Sequence, residues 1–245
     1  MINEAVIPSA GLGTRMLPVT GGKIPKLMLE INGKPMIAYA VEEALSSGFD
    51  KINVVVNGAQ AGLSDFLKEN YGEVNVIPAG PRGSGGNILD AKKSVKGDHF
   101  AVIFPDVIID SKVPALLQLK RAFEKNNVNI IGWLLLTEEE KKIFGNSTPV
   151  LSKQIGDNLF EIRGFAQKKS EENSLYLSRY ILSRSFFQAA ERLISGSGEA
   201  DDADVLKEMI RSERFLGTKI SGKGFDGGNV GGYRAAEKYF LSKGP

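Results

Sequence analysis

Ala5-Val6-Ile7-Pro8-Ser9-Ala10-Gly11-Leu12-Gly13-Thr14-Arg15 carries a short apolar strand straight into a glycine-rich turn. Three further β-branched runs follow: Ile52-Asn53-Val54-Val55-Val56, Val74-Asn75-Val76-Ile77 and Phe100-Ala101-Val102-Ile103-Phe104. Segments of helical period fill the intervals. Between the first two runs, Met36, Ile37, Tyr39, Ala40, Val41, Ala44 and Leu45 fall mostly at three- and four-residue spacings. Pro35 suits the first turn of that helix and Gly48 its C-terminal stop. This alternation predicts βαβ units and an α/β fold with a mostly parallel sheet. A strand that runs into glycines also exposes backbone N–H groups at the carboxyl edge of the sheet, where open α/β folds bind ligands. Further helices are predicted over 63–70, 88–95, 114–126, 184–194, 204–211 and 233–241. Past Leu136 the pattern loosens, and strands near 150–151, 159–162 and 175–181 read as a less regular, partly antiparallel lobe.

The chain has 245 residues, 42% hydrophobic and 24% charged, which suits one folded domain, 1–245, with a lobe. Its longest apolar run, 130–136, is far short of the roughly 20 residues of a membrane span. Met1-Ile2-Asn3-Glu4 lacks the basic start of a signal peptide, so no membrane partner and a cytoplasmic location are expected. There is no cysteine and one histidine, which excludes thiol nucleophiles, disulfide frameworks and zinc sites built on Cys or His pairs. A metal here must take oxygen ligands, which points to a hard ion such as Mg²⁺ on one or two carboxylates and a substrate phosphate. His99 immediately precedes an apolar run and reads as a strand-entry residue. A net charge of +2 with no basic stripe argues against nucleic acid.

Charge is nevertheless concentrated beside the first glycine turn. From Gly11 to Lys34 the cations are Arg15, Lys23, Lys26 and Lys34 against the single anion Glu30, so this segment is suited to meet an anion. Two familiar phosphate motifs fail there and elsewhere. The dinucleotide fingerprint needs a third glycine where Met16 stands, and no ribose-binding acid follows the second strand. Gly217-Thr218-Lys219-Ile220-Ser221-Gly222-Lys223-Gly224 nearly spells a P-loop, yet lacks the final hydroxyl residue and the preceding apolar strand.

Gly11 to Pro18, Ile24-Pro25-Lys26-Leu27-Met28-Leu29, Lys34-Pro35-Met36-Ile37 and Val41-Glu42-Glu43-Ala44 together resemble the N-terminal signature of bacterial UTP:glucose-1-phosphate uridylyltransferases, members of the sugar-1-phosphate nucleotidyltransferase family. The resemblance returns at Phe104-Pro105-Asp106-Val107-Ile108, Arg179-Tyr180-Ile181-Leu182, Gly198-Glu199 and Asp226-Gly227-Gly228. Against that family the chain looks trimmed between Phe66 and Val74 and in the middle lobe. The resemblance implies a nucleotide-diphospho-sugar transferase fold, Rossmann-like, with a nucleotide-binding part over 1–136. Residues 137–245 would hold the sugar phosphate in a smaller mixed lobe and end in C-terminal helices. It implies transfer of a nucleotidyl group from UTP to glucose 1-phosphate, and a homo-oligomer is compatible with it.

The same resemblance assigns roles. Arg15 would bridge the departing phosphates and Lys26 would meet the α-phosphate. Ser9, Ala10 and Gly11 would face the base, with Gly13 and Thr14 beside the phosphates. Asp106 and Asp226 would hold Mg²⁺, while Gly145, Gln167, Lys168 and Asn173 would meet the sugar phosphate. For Asp106 and Asp226 the alternative reading is a turn cap.

Two departures bear on specificity. Gln167 stands where the family has a glutamate, which puts the sugar in doubt. In Pro78-Ala79-Gly80-Pro81-Arg82-Gly83-Ser84-Gly85-Gly86-Asn87, Pro78 occupies the place of a base-reading glutamine and Gly86 that of a histidine. Proline offers neither a side-chain amide nor an N–H, so the base would be read by backbone atoms, for example around Gly85. Thymidylyl or adenylyl transfer, and a non-catalytic regulatory subunit, remain alternatives.

Overall fold

In the computed structural model, which describes residues 2–58, 60–145, 150–165 and 175–244, the four β-branched runs lie side by side as parallel strands. In chain order the strands are β1 (Glu4–Pro8), β2 (Glu30–Ile31), β3 (Lys34–Pro35), β4 (Lys51–Asn57), β5 (Asn75–Ala79), β6 (His99–Ile103) and β7 (Val107–Asp110). They continue with β8 (Asn129–Leu135), β9 (Val150–Gly156), β10 (Leu159–Phe165), β11 (Leu175–Ser183), β12 (Phe215–Lys219) and β13 (Lys223–Asp226). Nine of them form one sheet in the order β5-β4-β1-β6-β11-β8-β12-β10-β9. The pairings make β10 and β11 the two strands that run against the rest.

Because successive side chains on a strand point to opposite faces, the buried runs feed two cores. Ile7, Val54, Val56, Ala101 and Ile103 pack on one face with the helices Met36–Ser46 and Ala115–Asn126. Val6, Val55, Phe100 and Val102 pack on the other with the helices Gly83–Asp90, Ser185–Ser197 and Asp202–Met209. The result is a helix–sheet–helix sandwich, as the sequence predicts. His99 opens β6 with its ring centroid 4.8 Å from that of Phe123, in the expected structural position. No helix of the described residues is long and apolar enough to cross a membrane.

Two expectations change. The 175–181 run is antiparallel, as expected, but lies in the middle of the sheet: β11 is inserted between β6 and β8, with Ile181 buried in the core on one face and Tyr180 and Leu182 in the core on the other. The helix expected over 88–95 starts at Gly83 and ends at Asp90, so the second glycine loop is itself the first helical turn. The rejected P-loop-like stretch 217–224 runs from β12 into β13, which pairs antiparallel with β7, in keeping with the sequence reading.

Candidate active site

All strands that end in functional loops deliver them to the carboxyl edge of the parallel sheet. β1 leads into the first glycine turn, β5 into the second, and β6 into Phe104-Pro105-Asp106. The β13–β7 ribbon brings Asp226 alongside, with Gly227 N–H donating to the Asp106 carbonyl at 2.7 Å. Two side chains hold the first turn from behind: Asn57, the last residue of β4, donates from Nδ2 to Ala10 O at 3.5 Å, and Gln60, at the cap of the next helix, from Nε2 to Gly11 O at 3.2 Å. Gly13 takes the left-handed conformation, φ 65°, where a side chain would lie 3.0 Å from Lys26 Cβ. That close approach lets the Lys26 stem cross the turn.

Lys26 Nζ then reaches Asp106 Oδ2 at 2.7 Å. Asp226 is 1% exposed, and both of its carboxylate oxygens accept hydrogen bonds. Its Oδ2 accepts from Gly145 N–H at 2.5 Å and Asn229 Nδ2 at 2.9 Å, and its Oδ1 from Gly228 N–H at 2.8 Å. A methyl group placed on Gly228 would sit 2.8 Å from Asp106 Oδ2, 2.9 Å from Asp226 Oδ1 and 3.5 Å from Arg15 Nη2. One placed on Gly145 would sit 3.1 Å from Arg15 Nη1. Arg15, Lys26, Asp106 and Asp226 therefore surround one small volume.

The electrostatics of the pair are opposed. Burial pushes the Asp106 carboxyl up, but the Lys26 ammonium, its hydrogen bond and the Arg15 charge outweigh this and hold it below the ordinary range. Asp226 is raised, first by burial and then by the neighbouring Asp106 charge, with the N–H groups of Gly145 and Gly228 and the charge of Arg15 opposing. Two facing carboxylates with an all-oxygen donor set fit a hard divalent cation, whose charge would offset their repulsion. Among the described residues no group of three or more metal-ligating side chains occurs, so the remaining ligands would come from substrate and water.

A cleft of about 400 Å³ opens from this volume, within the range of small-molecule sites. Arg15, Lys26, Asp106 and Gly228 line its charged end; Ser9, Gly11, Gly13 and Thr14 line the turn; Pro81, Gly83, Ser84, Asn87 and Phe104 line the remainder. Of the residues named from sequence, Ala10 is fully buried behind the turn, and Gly145 has its N–H committed to Asp226. Gly85 is not on the cleft: its Cα faces Ala200, Asp201 and Val205, and Gly83 takes the lining position, because the loop is helical and turns Gly85 inward. Gln167, Lys168 and Asn173 lie outside the described residues. Asn87, Ser84 and Gly228 were not singled out by sequence; only the position of Asn87 beside the glycines hinted at it.

The sequence profile of the nucleotidyl transferase family matches residues 4–242. The chain belongs to that family. It is 33% identical to the UTP–glucose-1-phosphate uridylyltransferase of Mycoplasma pneumoniae over 273 aligned positions, covering 99% of this chain and 93% of the relative. It is 28% identical to the enzyme of the same name from Bacillus subtilis, covering 95% and 88%. Among solved structures, this nucleotidyl transferase resembles an apo UDP-glucose pyrophosphorylase with a TM-score of 0.86 at 26% identity, covering 99% of both chains. A UDP-glucose pyrophosphorylase complexed with UDP-glucose superimposes with a TM-score of 0.85 at 25% identity, covering 99% of this chain and all of that one.

Proposed function

We propose that this nucleotidyl transferase joins UTP and glucose 1-phosphate to give UDP-glucose and pyrophosphate. The observation that carries the reading is the convergence of Arg15, Lys26, Asp106 and Asp226 at one end of a glycine-walled cleft. Four charged groups from three distant segments meet there, and the two cations suit a triphosphate.

In the proposed reaction an oxygen of the sugar phosphate attacks the α-phosphorus of the nucleotide and pyrophosphate leaves, with no covalent protein intermediate. The protein aligns the reactants and neutralises their charge, and alignment alone can supply about 7–11 kcal/mol of barrier reduction. Arg15, a planar multiple donor, would hold the departing phosphates, and Lys26 the α-phosphate as its bond breaks. On substrate binding Lys26 would exchange part of its contact with Asp106 for phosphate. A divalent cation between Asp106 and Asp226, Mg²⁺ in this reading, would supply further charge neutralisation. Gly145, Gln167, Lys168 and Asn173 are proposed for the sugar phosphate on the resemblance alone. A cytoplasmic location, and assembly as a homo-oligomer, belong to the same proposal.

Pyrophosphate release from glucose 1-phosphate with UTP, dTTP, ATP, CTP and GTP tests it. The fastest turnover is expected with UTP; equal rates with all five would remove the assigned base, and no turnover with any would remove the activity.

A further inference from the structure

The cleft has two unlike ends. Arg15, Lys26 and Asp106 carry the charge of one; the side chains that line the other, Pro81, Ser84, Asn87 and Phe104, are neutral, with Asp201 and Asp202 packed behind Gly83 and Ser84. Among the described residues lining it, Asn87 carries the only side-chain amide. Asn87 is 4% exposed and sits in the helix Gly83–Asp90, one helical turn beyond Gly83. Its Oδ1 is buried with no hydrogen-bond partner among the described residues. A buried amide oxygen left unpaired is costly, and native folds rarely keep one without a use.

Nearby polar groups are already committed. Ser84 Oγ donates to Asp202 Oδ1 at 2.5 Å and accepts from Asp202 N–H at 2.9 Å. Ser9 Oγ donates to Ile7 O at 3.4 Å. Gly86 N–H donates to Ala200 O at 3.1 Å, which fixes the helix against the 200–202 segment. Pro78, on β5, has no amide to offer. An amide whose oxygen is unpaired thus sits in the wall of a cleft that also holds Arg15, Lys26 and Asp106, groups suited to a triphosphate.

We propose that Asn87 reads the nucleobase. A terminal amide presents an acceptor and a donor side by side, the complement of a uracil edge, where N3–H donates and the adjacent carbonyl oxygen accepts. This inference rests on the nucleotide-binding reading above and deepens it by naming a side chain for base selection.

The test is equilibrium titration of wild type and Asn87→Ala with UTP, N3-methyl-UTP and ribose 5-triphosphate, alongside steady-state KM and kcat. Removing the amide is expected to weaken UTP about tenfold, to leave the baseless triphosphate and the KM for glucose 1-phosphate unchanged, and to abolish the difference between UTP and N3-methyl-UTP. Because the side-chain oxygen has no partner to lose, only a small change in thermal stability is expected. Should Asn87→Ala fail to fold, the near-isosteric Asn87→Asp takes its place: a carboxylate cannot donate to the uracil carbonyl, and the same selective loss of UTP is expected. Equal weakening of UTP and ribose 5-triphosphate, or an unaltered UTP affinity, overturns the assignment. Binding of UTP without pyrophosphate release in wild type would instead remove the proposed activity and leave the base contact standing.

Discussion

Arg179 and Glu43 form a buried, two-point ion pair behind the Asp106 loop. Arg179 Nε donates to Glu43 Oε1 at 2.9 Å and Nη2 to Oε2 at 2.7 Å, with 1% and 10% of the two side chains exposed. The same guanidinium donates to the carbonyls of Val107 at 2.9 Å and Phe104 at 3.4 Å, on either side of Asp106. Glu43 Oε1 also accepts from Leu116 N–H at the start of the helix Ala115–Asn126.

Removing one partner strands the other charge in the core, at a cost of about 3–5 kcal/mol. Arg179→Met is therefore expected to lower the unfolding free energy by that margin, seen as a lower urea midpoint at unchanged slope. Trp133, the sole tryptophan, is fully buried against Phe160, so its fluorescence reports the transition. Replacing both partners with apolar residues should cost less than either single change. A midpoint equal to wild type in Arg179→Met would show that the pair contributes nothing.

Asp106→Asn separates charge from shape. The amide keeps the side chain's volume but withdraws the carboxylate that holds Lys26 and faces Asp226. Turnover is expected to fall about 10²–10³-fold, in line with loss of one electrostatic contact to the reacting groups. The near-isosteric change should leave the melting temperature within a few degrees of wild type, since two carboxylates no longer repel across Gly228. Wild-type turnover supported by divalent cations in this variant would remove Asp106 from the site.

How much of this was legible beforehand follows from period and distance. β1, β4 and β6 were readable because parallel strands buried on both faces are short, continuous apolar runs, and the edge strand β5 by its β-branched Val76-Ile77. The first glycine turn and its cations lie within 25 residues of one another, so local charge balance exposes them. Asp226 is a different case: its partner Asp106 is 120 positions away, and only the β13–β7 ribbon joins them. The central place of β11 was hidden for the same reason, since insertion between β6 and β8 leaves no trace in a strand's own residues. The helix at Gly83 escaped because glycine is a poor helix former. There, Ala200 O accepting from Gly86 N–H and Asp202 bonding Ser84 override the local preference.

Acid stability should depend on Glu213. Burial raises its carboxyl, but hydrogen bonds from Ser183, Ser185 and Asn129 and the nearby His99 charge outweigh that and hold it below the ordinary value. A folded-state pKa below the unfolded one means the unfolded chain binds the proton more readily. The stabilisation is thus complete above the unfolded glutamate value and disappears as the pH falls through the folded one. Glu213→Gln is expected to flatten the acid side of a plot of urea midpoint against pH while lowering the neutral plateau. An acid limb as steep as wild type would assign that loss to other carboxylates.

Gly228 is the narrowest point between the two aspartates, and Gly228→Ala tests whether that gap is functional. The added methyl would lie 2.8 Å from Asp106 Oδ2 and 2.9 Å from Asp226 Oδ1, tighter than carbon and oxygen tolerate without movement. Asp226 is fixed by Gly145, Gly228 and Asn229, whereas Asp106 keeps 22% of its side chain exposed and is held by the flexible Lys26 stem. Asp106 is thus the partner expected to yield, swinging toward solvent and opening the pair. Such a shift costs the fold little, because the displaced carboxylate regains water, but it moves apart the two carboxylates that would hold the proposed cation. A displacement of about 1 Å at reacting groups is enough for a rate loss of about 10²-fold. Gly228→Ala should therefore show a near-normal melting temperature, a kcat lowered by about that factor and a raised requirement for divalent cation. Unaltered kcat at all cation concentrations would mean the space between Asp106 and Asp226 is not where the chemistry occurs.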